Sequence, residues 1–385
     1  MSWRIVFSLM PWAVWLLAVA MLIRPMKLSP AASFGLAAFC GVALAKFAGF
    51  LLIGGEMFNP QLTAFVIYAW GTAYGFVELW VGLASFVWLT VSSFRRRRGY
   101  AGGSRTARRV ALTTAALAAI LCAEGLYQTL RTPRVVEREL RFRDLPPAFQ
   151  GYRIVQLSDL HASVATSRER FERIVGRVNR LDADMVAITG DFADGFASEM
   201  KPLLSPLAEL RAKDGVFGCT GNHEHYWDWS SMRPELVRMG IAFPERPVEI
   251  DRGGACLRIA SLDDPARDRF VVPPPKPDFE SVYGPAPRRN GEFRLLLAHR
   301  PENRRVLAEK AGVDLQLSGH THGGMALPLR PLVALFNDGC CSGLYPTLRG
   351  FLHVSPGTGQ WSGFPLRLMN PTEITVLTLT RHAVK

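Results

Sequence analysis

The sequence predicts an all-α membrane region over residues 1–131, followed by a separate α/β domain. Three observations support this division. Long apolar runs fill the first third of the 385 residues, strand and helix patterns alternate after residue 150, and charge is unevenly spread. Residues 1–131 hold only three acidic residues against twelve basic ones, whereas the remainder is nearly balanced. A chain of this length can form more than one domain, each with a buried core.

The apolar runs predict about four transmembrane helices, because a spanning helix needs about 20 predominantly apolar residues. The runs are 5–23, 31–53, 62–94 and 110–130. The third is longer than one upright crossing requires, so it is either a tilted or kinked helix or two short ones. Lys46 lies in the second run and should face the bundle interior or snorkel. A cleaved signal peptide is the alternative for the first run, but Arg24 and Lys27 follow it instead of a small-residue cleavage site.

Charge predicts the orientation of these helices, since basic loops favour the cytoplasmic side. Arg24 and Lys27 separate the first two runs, and seven arginines occur between residues 95 and 109, whereas the loop with Glu56 contains no basic residue. We therefore expect four crossings of the cytoplasmic membrane, with both ends and everything after residue 131 outside the cytoplasm. If 62–94 crosses twice, only the placement of the N-terminus changes. No basic stripe with interleaved aromatics follows, so no nucleic-acid partner is expected.

A polar linker is expected over residues 132–149, and alternating patterns begin at residue 150. The strand patterns cover 152–157, 185–189, 215–220, 256–262, 293–298, 313–317, 351–354 and 374–379. Helical patterns cover 167–181 and 202–212, and the first places Phe171, Ile174, Val175 and Val178 on one face. Alternation of this kind predicts a sheet covered by helices.

Polar residues typical of metal sites follow five of these strands. They are Asp159 and His161, Asp191, Asn222 with His223 and Glu224, His299, and the pair His320 and His322. Ligands gather at the carboxyl ends of strands in α/β sheets, so we expect these loops to meet at one edge of one sheet. Five of the eight histidines occur here, which leaves His225, His353 and His382 as structural or surface residues.

The order of these motifs, D-x-H, G-D, G-N-H-E, H and G-H-x-H, resembles the calcineurin-like metallophosphoesterases over about residues 150–380. The bacterial membrane-anchored branch is the most similar, because its Ser-Asp-Leu-His and Gly-His-Thr-His-Gly-Gly forms occur here unaltered. The resemblance implies a catalytic domain over 150–385 with a β-sandwich flanked by helices, in α/β/β/α layers.

The resemblance also implies two divalent metal ions. One would be bound by Asp159, His161, Asp191 and His322; Asp191 would bridge to the other, which Asn222, His299 and His320 would complete. Glu224 stands where the family has Asp or Glu and would orient a neighbouring ligand. Carboxylate, amide and imidazole ligands suit Mn, Fe or Zn better than a thiolate-preferring ion.

The implied chemistry is metal-dependent hydrolysis of a phosphate ester or pyrophosphate. Two divalent ions flanking a water lower its pKa towards neutrality, so that a bridging hydroxide can attack phosphorus in line with the leaving group. His223 would protonate the departing oxygen; its alternative role is a hydrogen-bond donor to a ligand. The alternative function is a catalytically silent metal-binding membrane sensor or scaffold.

An apolar stretch, Met325 to Phe336, follows directly on the paired histidines. One hypothesis is that this stretch contacts acyl chains, so that the substrate is a phospholipid or a lipid-linked pyrophosphate at the bilayer. The alternative is an ordinary core strand and turn.

Overall fold

The computed structural model describes residues 11–53, 61–98, 104–268, 279, 282–284 and 287–382. The chain divides into two compact units. The helical unit consists of the chain up to Leu130 together with Ser362–Leu368, and the α/β unit consists of Arg131–Trp361 and the chain from Met369 onwards.

The helical unit contains five helices within the described residues. They are α1 (Pro11–Met26), α2 (Pro30–Leu44), α3 (Lys46–Ile53), α4 (Ala64–Arg97) and α5 (Ser104–Leu130). By length and apolarity α4 and α5 can each span a membrane, and α2 with α3, bent by 64°, can form a third span. The sequence predicted about four spans. Within the described residues α1 is too short to count as one, and residues 5–10 of the first run lie outside them.

Local chemistry explains where these helices begin and end. Ser29 caps α2 by accepting the amide of Ala32 at 3.3 Å, and Thr63 caps α4 by accepting the amide of Val66 at 3.4 Å. The arginines in the last turn of α4 face the negative end of its dipole.

The run 62–94 forms one continuous helix, α4, rather than two short ones. Lys46 is fully buried, as expected for an interior-facing residue.

The α/β unit contains two six-stranded sheets. The first has the order β1-β12-β2-β3-β4-β5, with β1 Arg134–Phe142, β2 Arg153–Leu157, β3 Met185–Thr189, β4 Val216–Cys219, β5 Ile241–Ala242 and β12 Glu373–Arg381. The second has the order β10-β11-β9-β8-β7-β6, with β6 Val248–Arg252, β7 Ala255–Leu262, β8 Glu292–Ala298, β9 Leu315–Ser318, β10 Gly343–Pro346 and β11 Phe351–Val354. The strands β2, β3, β4 and β5 are parallel, as are β7, β8, β9 and β11.

The helices of this unit are α6 (Arg168–Val178), α7 (Ala197–Leu204), α8 (Trp229–Arg238), α9 (Arg304–Val306) and α10 (Arg330–Leu335). The first three cover the outer face of the first sheet, and the π-helical turn Leu307–Ala311, which follows α9, packs against the second sheet. One core lies between the sheets and joins residues such as Ile154 and Leu295. A second joins Val155 on the other face of β2 to Phe171 and Ile174 of α6. The layers are therefore α/β/β/α, and the apolar face predicted for α6 is confirmed.

Two expectations about the sheets are wrong. The strands β8 and β9 pair with each other and with strands of the second sheet, so the five motif-bearing strand ends come from two sheets instead of one. The expected linker 132–149 contains β1, which pairs with β12 from Arg134↔Glu373 to Phe142↔Arg381. Alternating charged residues on this edge strand gave it the composition of a loop.

The second predicted helix also differs from the observed one. Instead of covering 202–212, α7 ends at Leu204 and a 3₁₀ turn follows over Ser205–Glu209. Pro206 lacks the backbone N–H that a continuous α-helix requires, so α7 gives way to the tighter 3₁₀ turn at this point, whereas Pro202 is accommodated inside α7.

Candidate metal centre

Four buried side chains at the ends of β2, β3 and β9 converge on one point. Asp159, His161, Asp191 and His322 each present one donor atom, and these atoms lie within 4.8 Å of one another. The Nε2 atoms of His161 and His322 are 3.1 Å apart, and His322 Nε2 is 3.4 Å from Asp159 Oδ1. Two imidazole nitrogens that face each other beside two carboxylates fit a shared cation.

A second set of donors lies on the other side of Asp191. His299 Nε2 is 3.2 Å from Asp191 Oδ2, and the same oxygen is 3.6 Å from His161 Nε2. The ring of His320 lies 5.1 Å from that of His299. Asn222 is buried, and among the described residues its Oδ1 has no hydrogen-bond partner. An unpaired buried amide oxygen is costly, so a cation at this position would satisfy it.

The backbone at these residues is unusual. Five of the seven expected ligands have positive φ angles: Asp159 (51°), His161 (46°), Asp191 (55°), His320 (69°) and His322 (48°). Few non-glycine residues adopt this region. Strained conformations of this kind persist where the surrounding structure enforces them, most often at functional sites.

Two glycines allow the loops to approach one another. A Cβ at Gly319 would lie 1.9 Å from Ser158 Oγ, and a Cβ at Gly221 would lie 2.2 Å from Asp191 Oδ1. Any other residue at either position would push apart the loops that carry the expected ligands.

Hydrogen bonds fix which nitrogen each histidine presents. His299 Nδ1 lies 2.7 Å from the carbonyl oxygen of Thr189, to which it donates, leaving Nε2 as the acceptor that faces Asp191. His161 Nδ1 lies 2.8 Å from Asp194 Oδ1, so its Nε2 is likewise available to a cation. This arrangement, with one ring nitrogen held and the other directed inwards, is typical of metal-binding histidines.

Glu224 joins the loops that follow β3 and β4. Its carboxylate accepts the backbone N–H groups of Gly221 at 2.6 Å, Phe192 at 2.7 Å and Asp191 at 2.9 Å. Burial and then the neighbouring Asp191 carboxylate raise the pKa of Glu224 to about 7. Glu224 therefore fixes the backbone that carries Asp191. These hydrogen bonds do not involve the side chain of any expected ligand.

Asp194 is a site residue that the sequence analysis missed. It is fully buried, and its Oδ1 lies 2.6 Å from His223 Nδ1 as well as 2.8 Å from His161 Nδ1. Its position three residues after Asp191, in Gly190-Asp191-x-x-Asp194, was the signal available in the sequence. Burial lowers the pKa of His223, but the Asp191 and Asp194 carboxylates raise it more, to about 9. The two carboxylates therefore favour the protonated imidazole of His223.

A cavity of about 820 Å³ has His299 in its lining. Its lining includes His225, Trp229 and Arg300, and Arg300 Nε donates to Asp264 at 2.8 Å. This volume is large enough for a small-molecule ligand beside the expected metal ligands.

The remaining histidines have other surroundings. His353 is buried with Nδ1 2.7 Å from Gln156 Oε1, and His382 is exposed, so their interpretation as structural and surface residues is confirmed.

The apolar stretch after His322 lies on the surface of the α/β unit. Leu327–Leu329 forms a 3₁₀ turn that leads into α10. Leu332, Leu335 and Phe336 are exposed by 54%, 75% and 73%. The alternative that this stretch is a core strand is therefore wrong.

Comparison of the sequence with known proteins identifies the family of this chain. A model of the calcineurin-like phosphoesterases matches residues 152–324. A "transmembrane protein with metallophosphoesterase domain" from Bos taurus is 31% identical over 358 residues, which cover 89% of this chain and 79% of the relative. The protein of the same description from Danio rerio is 33% identical over 273 residues, 68% of this chain and 61% of the relative.

Bacterial relatives are similar to the same degree. An "uncharacterized metallophosphoesterase" from Helicobacter pylori is 32% identical over 264 residues, 66% of each chain. The bovine alignment extends beyond the phosphoesterase motifs, because it covers most of the present chain. The chain therefore belongs to the calcineurin-like phosphoesterase family, whose members hydrolyse phosphoester bonds.

Proposed function

We propose that this protein is a metal-dependent hydrolase of phosphate ester or pyrophosphate bonds with a dinuclear site. The observation that carries the proposal is the position of Asp191. Its Oδ2 lies 3.6 Å from His161 Nε2 on one side and 3.2 Å from His299 Nε2 on the other. A carboxylate between two sets of donors is suited to bridge two cations.

The expected ligands then divide into two sets that share Asp191. Asp159, His161 and His322 would hold one cation together with Asp191, and Asn222, His299 and His320 would hold the other with it. Divalent ions such as Mn, Fe or Zn supply Lewis acidity towards phosphoryl oxygens and acidify water for attack.

The residues around the ligands complete the reaction. His223 donates a proton to the departing oxygen, and Asp194 holds its ring by the contact at Nδ1. The cavity that His299 helps to line has room for the leaving group.

The test uses the full chain in detergent with an aryl phosphate and added Mn, Fe or Zn. Asp191→Asn should lower kcat by at least about 100-fold, because it removes the negative charge of the bridging carboxylate. Asp182→Asn is the matched control, because Asp182 is exposed and asparagine tolerates its positive φ. Inactivity of the unchanged protein with all three metals would favour the silent sensor instead.

The proposed substrate is a phospholipid or a lipid-linked pyrophosphate. The support is the apolar surface formed by α10 and its neighbours, which begins a few residues after His322. Exposed leucines grouped on one short segment favour contact with an apolar partner such as acyl chains.

Charge placed on this surface tests the lipid proposal. Leu332→Asp with Leu335→Asp should abolish turnover of lipid phosphates while turnover of a soluble aryl phosphate stays within about twofold. Val237→Asp is the control, since Val237 is an exposed apolar residue (46%) on α8. Equal losses on both substrates would contradict acyl-chain contact and indicate a damaged fold.

The proposed orientation puts the α/β unit outside the cytoplasm. Its support is the arginines that close α4 and those that open α5, which the positive-inside rule assigns to the cytoplasmic side. A reporter fused to the C-terminus should be active only outside the cytoplasm. A cytoplasmic signal would reverse the orientation and leave the proposed chemistry unaffected.

A further inference from the structure

One segment of the phosphoesterase half of the sequence belongs to the helical unit. We call Ser362–Leu368 the insertion segment, because it is part of that unit although α/β residues precede and follow it in the chain. Leu366 and Arg367 are fully buried, and Leu368 is 4% exposed. The insertion segment is therefore packed into the helices as a core element.

Glycines of α4 and α5 provide the space for it. A Cβ at Gly71 would lie 2.3 Å from Pro365 Cγ, and one at Gly75, a turn later, would lie 2.4 Å from Leu366 Cδ1. A Cβ at Gly125 would lie 3.1 Å from Leu368 Cδ2. The side chains of the insertion segment thus occupy positions that helix side chains would otherwise fill.

Lys46 holds the beginning of the same segment. Its Nζ donates to the carbonyl oxygen of Gly363 at 2.5 Å. The ammonium group lies 4.2 Å from the ring centroid of Phe47, 4.8 Å from that of Tyr74 and 5.9 Å from that of Phe364. A buried cation held by a carbonyl and aromatic faces fixes the backbone that it contacts.

Within the α/β unit, both ends of the insertion segment lead to the metal ligand His322. Trp361, the residue before it, stacks on the imidazole with ring centroids 6.3 Å apart and planes at 25°, and its ring is also 6.3 Å from that of His223. Asn370, two residues after it, donates from Nδ2 to the carbonyl oxygen of His322 at 2.6 Å. His322 is therefore held on its ring and on its backbone by the two flanks of one segment.

We propose that the helical unit positions the metal ligand His322 through the insertion segment, and that Lys46 is the positioning residue that anchors this segment. The inference rests on the proposed metal site and adds a role for the helices beyond membrane attachment. Loss of the contact between Lys46 and Gly363 loosens the insertion segment on both sides of Leu366. Trp361 and Asn370, which flank the segment, then hold His322 less firmly. The cation is bound less tightly as a result.

The test compares Lys46→Met with Lys27→Met in the full chain in detergent. Lys27 is an exposed lysine of the same unit, so its replacement controls for the loss of charge. We expect Lys46→Met to weaken Mn²⁺ binding by about tenfold, as measured by electron paramagnetic resonance. This is the loss typical of a weakened contact to a metal ligand, because the variant loosens Trp361 and Asn370, which contact His322. It should also lower kcat for an aryl phosphate with KM within about twofold, and Lys46→Arg should restore part of both. Lys27→Met should match the unchanged protein.

A second pair of variants covers the case in which Lys46→Met does not fold. Gly71→Ala meets the rigid ring of Pro365, whereas Gly82→Ala on the same helix meets nothing within 4 Å. The first should weaken Mn²⁺ binding and the second should not. Wild-type Mn²⁺ affinity in Gly71→Ala, and also in Lys46→Met where that variant folds, would overturn the inference. Because Mn²⁺ binding is measured directly, an unchanged protein that binds Mn²⁺ but hydrolyses nothing would refute the proposed function and still leave this comparison valid.

Discussion

Asp194 shows how one buried carboxylate can organise two imidazoles. Its Oδ1 contacts Nδ1 of both His161, an expected ligand, and His223, the expected proton donor. Both rings therefore direct Nε2 away from Asp194. Against the effect of burial, the carboxylates of Asp191 and Asp194 together favour the protonated form of His223 and raise its pKa to about 9.

Asp194→Asn is predicted to lower both activity and metal affinity. An amide keeps the size of the side chain, and its oxygen can still accept from the two imidazoles, but it removes the negative charge that faces both of them. We expect kcat for an aryl phosphate to fall about 100-fold and Mn²⁺ affinity about tenfold. Steady-state kinetics and metal titration measure both effects. Asp228→Glu, which changes an exposed helix cap, should leave both values unchanged.

At the residue scale, the sequence singled out the expected ligands because each follows an apolar strand pattern in a fixed order. Asp191 and His322 were expected to lie close together, and their donor atoms do. Trp361 and Asn370 could not be found in this way, because their contacts with His322 depend on how the chain returns to the site after the insertion segment.

At the scale of elements, the loops after β2 and β9 are so close that only glycine fits between them. The hydroxyl of Ser158 fills the space next to Gly319 and donates to Asp159 Oδ2 at 2.6 Å. The amide of His320 also donates to Asp159, at 3.1 Å. One loop thus supports the expected ligand on the other.

Gly319→Ala should separate these loops. The added methyl group would lie 1.9 Å from Ser158 Oγ, so Asp159 or His320 must move. We expect Mn²⁺ affinity to fall at least about tenfold, measured by titration, with the far-ultraviolet circular dichroism spectrum preserved. Gly176→Ala is the control, because a Cβ there lies 3.8 Å from the nearest atom, at the end of the flexible Arg180 side chain. Unchanged affinity in Gly319→Ala would contradict this account of the loops.

Elements were predictable wherever apolar residues ran without interruption. The strand patterns over 185–189 and 351–354 have the bounds of β3 and β11. The partition of strands between two sheets was not predictable, because periodicity shows which faces are buried and not which strands pair. β1 was missed for a related reason: its charged residues lie on the exposed side of an edge strand.

At the scale of the whole molecule, metal binding and stability should be linked. The α/β unit buries several carboxylates and imidazoles at one place, and cations that bind only the folded state stabilise it. Mn²⁺ at about 100 times its Kd contributes about 2.7 kcal/mol. For a domain of this size that corresponds to a Tm shift of about 5–10 °C.

Removal of metal with a chelator should therefore lower the Tm of the α/β unit by about that amount, and added Mn²⁺ should restore it. Tryptophan fluorescence during heating measures the transition. Asp191→Asn should show a much smaller difference between the two conditions, since it lacks the bridging carboxylate. An equal difference in that variant would indicate that Mn²⁺ acts elsewhere on the protein.

The membership of the insertion segment in the helical unit could not be predicted from sequence. Residues 362–368 have the composition of an ordinary loop, and Gly71 and Gly75 resemble the glycines common in membrane helices. Only the packed structure shows that Pro365 and Leu366 occupy the space beside them.

The late position of the insertion segment in the chain has a consequence for biogenesis. Gly75 leaves the ribosome almost 300 residues before Leu366 does. At typical elongation rates of about 5–20 residues per second, the space beside Gly71 and Gly75 stays unfilled for roughly 15–60 s. β1 must also wait for β12, its partner at the far end of the chain. Both units therefore mature only after residues 362–381 have been synthesised, and a nascent chain stalled before residue 362 should be a substrate for membrane quality control.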